Sequence, residues 1–184
     1  MDAFEQLVGE ILWMDGYWVR TSVKVDLTKE EKVLIGRPSS PRWELDIVAY
    51  SGRDNVLRVI ECKSYLDSRG VALRAFDGSD AKFAERFKLF SDERLRSVVF
   101  GRLRQQFAES GACAPNAVVR LSLACGRITT NADREGLHKH FADKGWDLWD
   151  EPWLRRRLQV MSKRGYENQV SAVVAKLLLR GKVE

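Results

Sequence analysis

Asp46, Glu61 and Lys63 are the residues of this chain whose types and spacing are best suited to chemistry. Successive side chains of a β-strand point to opposite faces. In Ile60-Glu61-Cys62-Lys63-Ser64 an acid and an amine therefore share one face, while Ile60, Cys62 and Ser64 share the other. Asp46 lies in Glu44-Leu45-Asp46-Ile47-Val48-Ala49-Tyr50, an otherwise apolar run in which an acid is costly unless it has a cation to bind. Hard divalent ions such as Mg2+, with Mn2+ as a substitute, take oxygen ligands and are held by one or two carboxylates plus water and substrate phosphate. Asp46 and Glu61 meet that need. A neighbouring lysine can orient an attacking water, serve as its base if its pKa is lowered, or neutralise negative charge in a transition state.

Each residue also has a simpler reading. Glu61 and Lys63 could lie on a solvated charged strand face, and Asp46 could be an edge-strand acid paired with Arg42 or Arg58. What decides is whether the chain brings the three together.

The elements that must do so are legible as patterns. Phe4, Leu7, Val8, Ile11 and Leu12 recur at helical spacing over residues 2 to 14, and Asp15-Gly16 supplies a stop. From Tyr17 to Leu27 the pattern alternates, with Val19, Thr21, Val23, Val25 and Leu27 assigned to one face of a first strand. A charged loop with a turn cluster over 36 to 41 leads into Trp43 to Tyr50. Ser51 to Asn55 then turns the chain into Val56 to Ser64, so strands two and three form a hairpin that can set Asp46 beside Glu61.

Residues 80 to 109 read as two helices, the second beginning near Asp92. Val118 to Ala124 reads as a strand, 132 to 144 as a helix, 146 to 149 as a short strand, and Pro152 to about Arg180 as a helical stretch with a break at Gly165. This order predicts a single α/β domain: a central mixed sheet with helices on both sides, residues 1–65 carrying the active-site core and 152–184 a basic C-terminal helical segment.

At 184 residues, 45% hydrophobic and 31% charged, the chain is long enough for one substantial core and too short for two ordinary domains. Cys62, Cys113 and Cys125 are odd in number and widely spaced, which suggests neither a disulfide framework nor a CxxC zinc site and fits a reducing cytoplasm. The N-terminal residues lack a basic stretch followed by an apolar one, and no apolar run approaches the roughly 20 residues that span a bilayer. Neither secretion nor a membrane partner is expected.

With Asp46 and Glu61-Cys62-Lys63 on adjoining strands after a first helix, the chain resembles the PD-(D/E)XK nuclease superfamily, which has the restriction-endonuclease-like fold. Phe4-Glu5-Gln6-Leu7-Val8 and Gly16-Tyr17-Trp18-Val19 resemble the matching segments of Mrr-like restriction enzymes and Holliday-junction resolvases. The resemblance covers roughly residues 3 to 65. Leu45 stands where the family name has proline. It implies a Mg2+-dependent nuclease in which Asp46 and Glu61 hold the ion, Glu5 completes the site and Lys63 is catalytic. It also implies a metal contact at Cys62 through the backbone carbonyl. Glu10 is the second candidate for the helix acid, and Glu5 is equally explained as an acid favoured by the helix dipole. Family members often cut two strands as homodimers, but no interface can be identified from the sequence.

The formal charge of +5 suits a polyanionic partner, expected to be DNA. Arg37 and Arg42, just before Asp46, are best placed to reach a phosphate. Arg155, Arg156, Arg157, Lys163, Arg164, Lys176, Arg180 and Lys182 face only Glu167 across 153 to 182, and Arg94, Arg96, Arg102 and Arg104 form another cluster. Either group could track a phosphate backbone or be a solvated helix face. His138 and His140 do not share a helix face and are not expected to bind metal. Trp146, Trp149 and Trp153 suit packing better than base stacking. Two other readings stay open: a module of this fold that binds nucleic acid or a protein partner without catalysis, and a nuclease acting on RNA.

Overall fold

In the computed structural model, which describes residues 2–39, 42–165 and 167–180, the chain opens with a helix capped by its own sequence. The Asp2 carboxylate accepts from the backbone N–H of Phe4 and Glu5, and Glu5 returns to the Asp2 N–H, a capping box that starts α1 (Ala3–Met14). After it come β1 (Trp18–Val25), α2 (Lys29–Leu34), β2 (Trp43–Ser51), β3 (Val56–Lys63), α3 (Ala81–Ala84), α4 (Lys88–Ser91) and α5 (Glu93–Glu109). β4 (Val118–Cys125), α6 (Asn131–Lys144), β5 (Asp147–Trp149), α7 (Glu151–Lys163) and α8 (Val170–Leu179) follow.

The strands form one mixed sheet in the order β1-β2-β3-β4-β5. β1, β2 and β3 are an antiparallel meander; β4 and β5 add in parallel. Parallel neighbours require crossovers. The crossover from β3 to β4 carries α3 to α5, and that from β4 to β5 carries α6. Leu95, Val99 and Leu103 of α5 and Leu137 and Phe141 of α6 bury one sheet face against Leu57, Val59, Leu121 and Leu123. On the other face Val8, Ile11 and Leu12 of α1, Leu154 of α7 and Ala172 and Ala175 of α8 meet Ile47, Ala49, Ile60 and Ala124. Each large side chain so buried contributes on the order of 1.5–3 kcal/mol. The expected single α/β domain with helices on both sides is what the chain forms.

Three local expectations need correction. Residues 28–35 are not loop throughout: Thr28 and Glu31 make a second capping box and start α2. Residues 80 to 91 are not one helix but the short turns α3 and α4, whereas α5 begins at Glu93, capped by Asp92. The C-terminal helical stretch does break near Gly165, into α7 and α8. Lys182, counted in the basic segment, and Ser40 and Pro41 of the turn cluster lie outside the described residues.

The third correction bears on the site. β1 does not keep one face throughout. Val19 and Thr21 face Gly9 of α1, whereas Val23 and Val25 face the α5 side. β2 turns over at the same level, with Leu45 on the α5 side and Ile47 on the α1 side. The register is unchanged across the switch: Thr21 opposes Ile47 and Val23 opposes Leu45, while Ser22 and Asp46 between them form no ladder pair. Ser22 has φ 50°, in the left-handed region that costs a non-glycine residue about 1–2 kcal/mol.

Candidate active site

The same level is where β2 leaves β3. Their ladder ends at Ile47 opposite Ile60, one step short of Asp46 and Glu61, while β3 continues beside β4 as far as Lys63 opposite Cys125. The strands fork there, and the fork would strand a backbone donor of β3. Asp46 supplies the acceptor: its Oδ2 takes the Cys62 N–H at 2.8 Å. That bond places the carboxylate at the fork, next to the Glu61 and Lys63 side chains.

Lys63 Nζ donates to Glu61 Oε1 at 2.6 Å and stands 3.8 Å from Asp46 Oδ2. The side chains of Asp46, Glu61 and Lys63 are 26%, 21% and 24% exposed, so the group is half-buried yet open to a ligand and is not a solvated strand face. Arg42 and Arg58 are not the partners of Asp46. Arg42 pairs with Asp26 at 2.5 Å, and Arg58 bonds the Tyr17 hydroxyl and Asp147.

Burial pushes the Glu61 carboxyl above the ordinary glutamate value; Asp46 and Glu5 add to the rise and Lys63 opposes it. Burial alone would lower the Lys63 pKa, but the Glu61 and Asp46 carboxylates outweigh it and hold the ammonium above its ordinary value. Beside these two carboxylates the protonated form of Lys63 is favoured, which suits it to stabilising charge and orienting water.

Glu5 stands within electrostatic reach of Glu61 from the first turn of α1. Glu10 is engaged elsewhere, accepting from Gln6 at 3.1 Å and from the Ser171 hydroxyl and so fastening α8 to α1. The Cys62 side chain turns into the α1-side core, and burial and the neighbouring acids hold its thiol well above the ordinary value. Any part Cys62 takes in the site is therefore through its backbone.

Two carboxylates, Asp46 and Glu61, thus flank one ammonium, with Glu5 in reach of Glu61, and burial works against ionisation of the Glu61 carboxyl. A dication would relieve that imbalance. Among the described residues no three His, Cys, Asp or Glu side chains converge into a metal-binding group. A hard ion that keeps most of its waters asks less, because one or two carboxylates with substrate oxygens suffice. The donors present fit that kind of ion and no thiolate or imidazole metal.

Several of the other side chains singled out in the sequence are engaged structurally. His138 bonds buried Asp150 at 3.1 Å, and His140 packs edge-on to Trp146. Trp149 stacks on Trp153 at 4.9 Å, and Trp146 packs on Phe90 and Phe141. Arg37 lies over the Trp43 ring. The basic segment faces more acid than Glu167 alone: Arg157 and Arg164 reach Asp15, and Arg155 pairs with Glu151. In the second cluster Arg102 binds Glu31, and Arg96 binds the Leu89 and Phe90 carbonyls. Two features give no warning in the sequence. Ser22 looks like any outward strand residue, and the fork depends on where β2 and β3 part; the Thr28/Glu31 capping box, in contrast, has a local signature.

Fold and site define an α/β domain with a carboxylate–lysine cluster at a strand fork. No family model, no curated protein and no solved structure matches the chain. Among the described residues, no helix is long and apolar enough to cross a membrane.

Proposed function

We propose that the protein is a Mg2+-dependent nuclease of the PD-(D/E)XK type that hydrolyses phosphodiester bonds in DNA. The observation that carries this reading is the convergence of Asp46, Glu61 and Lys63 at the fork, with Lys63 bridging the two acids. Asp46 and Glu61 would hold the ion, with Glu5 supporting its water shell. A bound Mg2+ supplies Lewis-acid polarisation of a phosphoryl oxygen and a more acidic water.

The chain's own residues do the rest. Asp46 is fixed by the Cys62 N–H, so its free oxygen is presented without rotamer search. Lys63, as a cation, would face charge that grows on the phosphoryl oxygens during in-line attack, and its effect is strongest where water is partly excluded. The three described cysteines are free and buried, in keeping with a reducing compartment such as the cytoplasm.

The test is cleavage of supercoiled, branched and single-stranded DNA with Mg2+ or Mn2+, with RNA in parallel. Loss of cleavage in Asp46→Ala and Lys63→Ala is expected. No cleavage of any nucleic acid, or cleavage undiminished in both variants, overturns the reading.

A further inference from the structure

Past Lys63 the chain leaves β3 through Tyr65, whose φ of 44° turns it sharply. It then runs to α3 along a loop tied to the segment after β4. The Val71 N–H donates to the Arg127 carbonyl at 3.0 Å, and the Thr129 N–H and hydroxyl donate to the Val71 carbonyl at 2.9 and 3.1 Å. Gly70, at φ 94°, permits this approach, since a Cβ there would stand 2.8 Å from the Arg127 carbonyl oxygen.

Loop, Thr129 and α3 enclose a cavity of about 380 Å3 that begins at Tyr65. Its charged lining is Arg69, Arg74 and Arg86, and no carboxylate lines it. Among the described residues none of the three forms an ion pair, in contrast to Arg42, Arg102 and Arg157. Arg74 and Arg86 lie over the Phe83 ring, 4.3 and 5.4 Å from its centroid. That contact orients two guanidinium groups in one concavity without neutralising them.

Like charges gathered without a counter-charge call for an anion, and the guanidinium fork matches phosphate oxygens. Flat aromatic and guanidinium surfaces also take a base by stacking. The volume lies in the small-ligand range of roughly 300–1,000 Å3, enough for a single nucleotide. We infer that this cavity binds one unpaired nucleotide of the strand cut at the adjoining site. Its phosphate lies on Arg69, Arg74 and Arg86, and its base packs against Tyr65 and the Arg–Phe83 stack. The inference rests on the nuclease reading and sharpens it: the substrate is a strand with an unpaired nucleotide, such as an overhang, flap or junction arm, rather than blunt duplex.

The test is binding of a fluorescent oligothymidylate and of a blunt duplex to the full chain in EDTA, where cleavage cannot occur. Arg74→Gln/Arg86→Gln is compared with Arg69→Gln and with Arg155→Gln, an exposed α7 residue far along the chain. Arg69, Arg74 and Arg86 are solvent-exposed, so melting temperatures should match the parent. The double variant should bind the oligothymidylate at least about tenfold more weakly, with a salt slope shallower by about 0.7 per lost phosphate contact. Duplex affinity should change less than about threefold, and thymidine monophosphate should compete only weakly. Unchanged oligothymidylate affinity, an equal loss in Arg155→Gln, an equal loss on blunt duplex, or a mononucleotide that binds as tightly as the strand overturns the inference. Strand binding through these arginines without cleavage would sink the nuclease reading alone, and cleavage with the arginines inert would sink the cavity alone.

Discussion

The Lys63 ammonium donates to the Glu61 carboxylate at 2.6 Å, across two positions of one strand, and its charge is held by that acid and by Asp46. If charge is what Lys63 contributes, Lys63→Arg should keep cleavage within about tenfold of the parent, whereas Lys63→Met should lose about 10²–10³-fold in kcat. Steady-state cleavage rates of the two variants check this; equal losses would mean that a removable proton matters more than charge.

Divalent cation binding should be visible in the folding equilibrium. At about a hundredfold excess over Kd, an ion bound only by the native state adds about 2.7 kcal/mol. For a chain of this length that is a rise of roughly 5–10 °C in Tm. Asp46→Asn and Glu61→Gln should each remove most of the rise in a Mg2+ or Mn2+ melting series.

Glu5 can be separated from its capping role. Gln at the same position still closes a capping box, so Glu5→Gln should melt within about 2 °C of the parent while losing cleavage, by roughly tenfold or more if its charge supports the site. An inactive variant that also melts early would point to α1 rather than to chemistry.

Glu31 offers a pH signature remote from the site. Burial opposes its ionisation, but the Arg102 fork and the Thr28 N–H hold its pKa below the ordinary value of 4.5. A depressed carboxylate pKa contributes stability that is complete above that ordinary value and lost as pH falls through the lower folded one. Glu31→Gln, which retains a capping residue, should therefore cost about 1 kcal/mol at neutral pH, and the difference should close below pH 4.5. Melting curves of both proteins over an acid series read this directly.

Gly126 follows β4 beside the end of β3, and its N–H donates to the Lys63 carbonyl at 3.1 Å. A Cβ at this position would stand 2.3 Å from the Ser64 carbonyl oxygen, which is backbone and cannot swing away. Gly126→Ala should lower stability by about 1–3 kcal/mol and displace the strand that carries Glu61 and Lys63, reducing cleavage as well. Denaturant unfolding and a cleavage assay on the same preparation would show both losses.

Much of this is legible in order along the chain. Period-two alternation sets Glu61 and Lys63 on one side of Cys62, helical spacing announces α1, and Asp92 announces α5. These signals are local, because side-chain direction within an element follows from its backbone period alone. The capping box of α2 is equally local, although the charged residues around it read as loop. What tertiary structure decided is where elements part and whom each charge meets. The face switch at Ser22 and Asp46, and the fork that hands the Cys62 N–H to Asp46, depend on the competition of β1, β3 and β4 for neighbours. Arg42 and Arg157 were likewise claimed by Asp26 and Asp15, whereas Arg69, Arg74 and Arg86 were left together around a cavity. Charge partners are set by distances through folded space, and sequence separation carries little information about those.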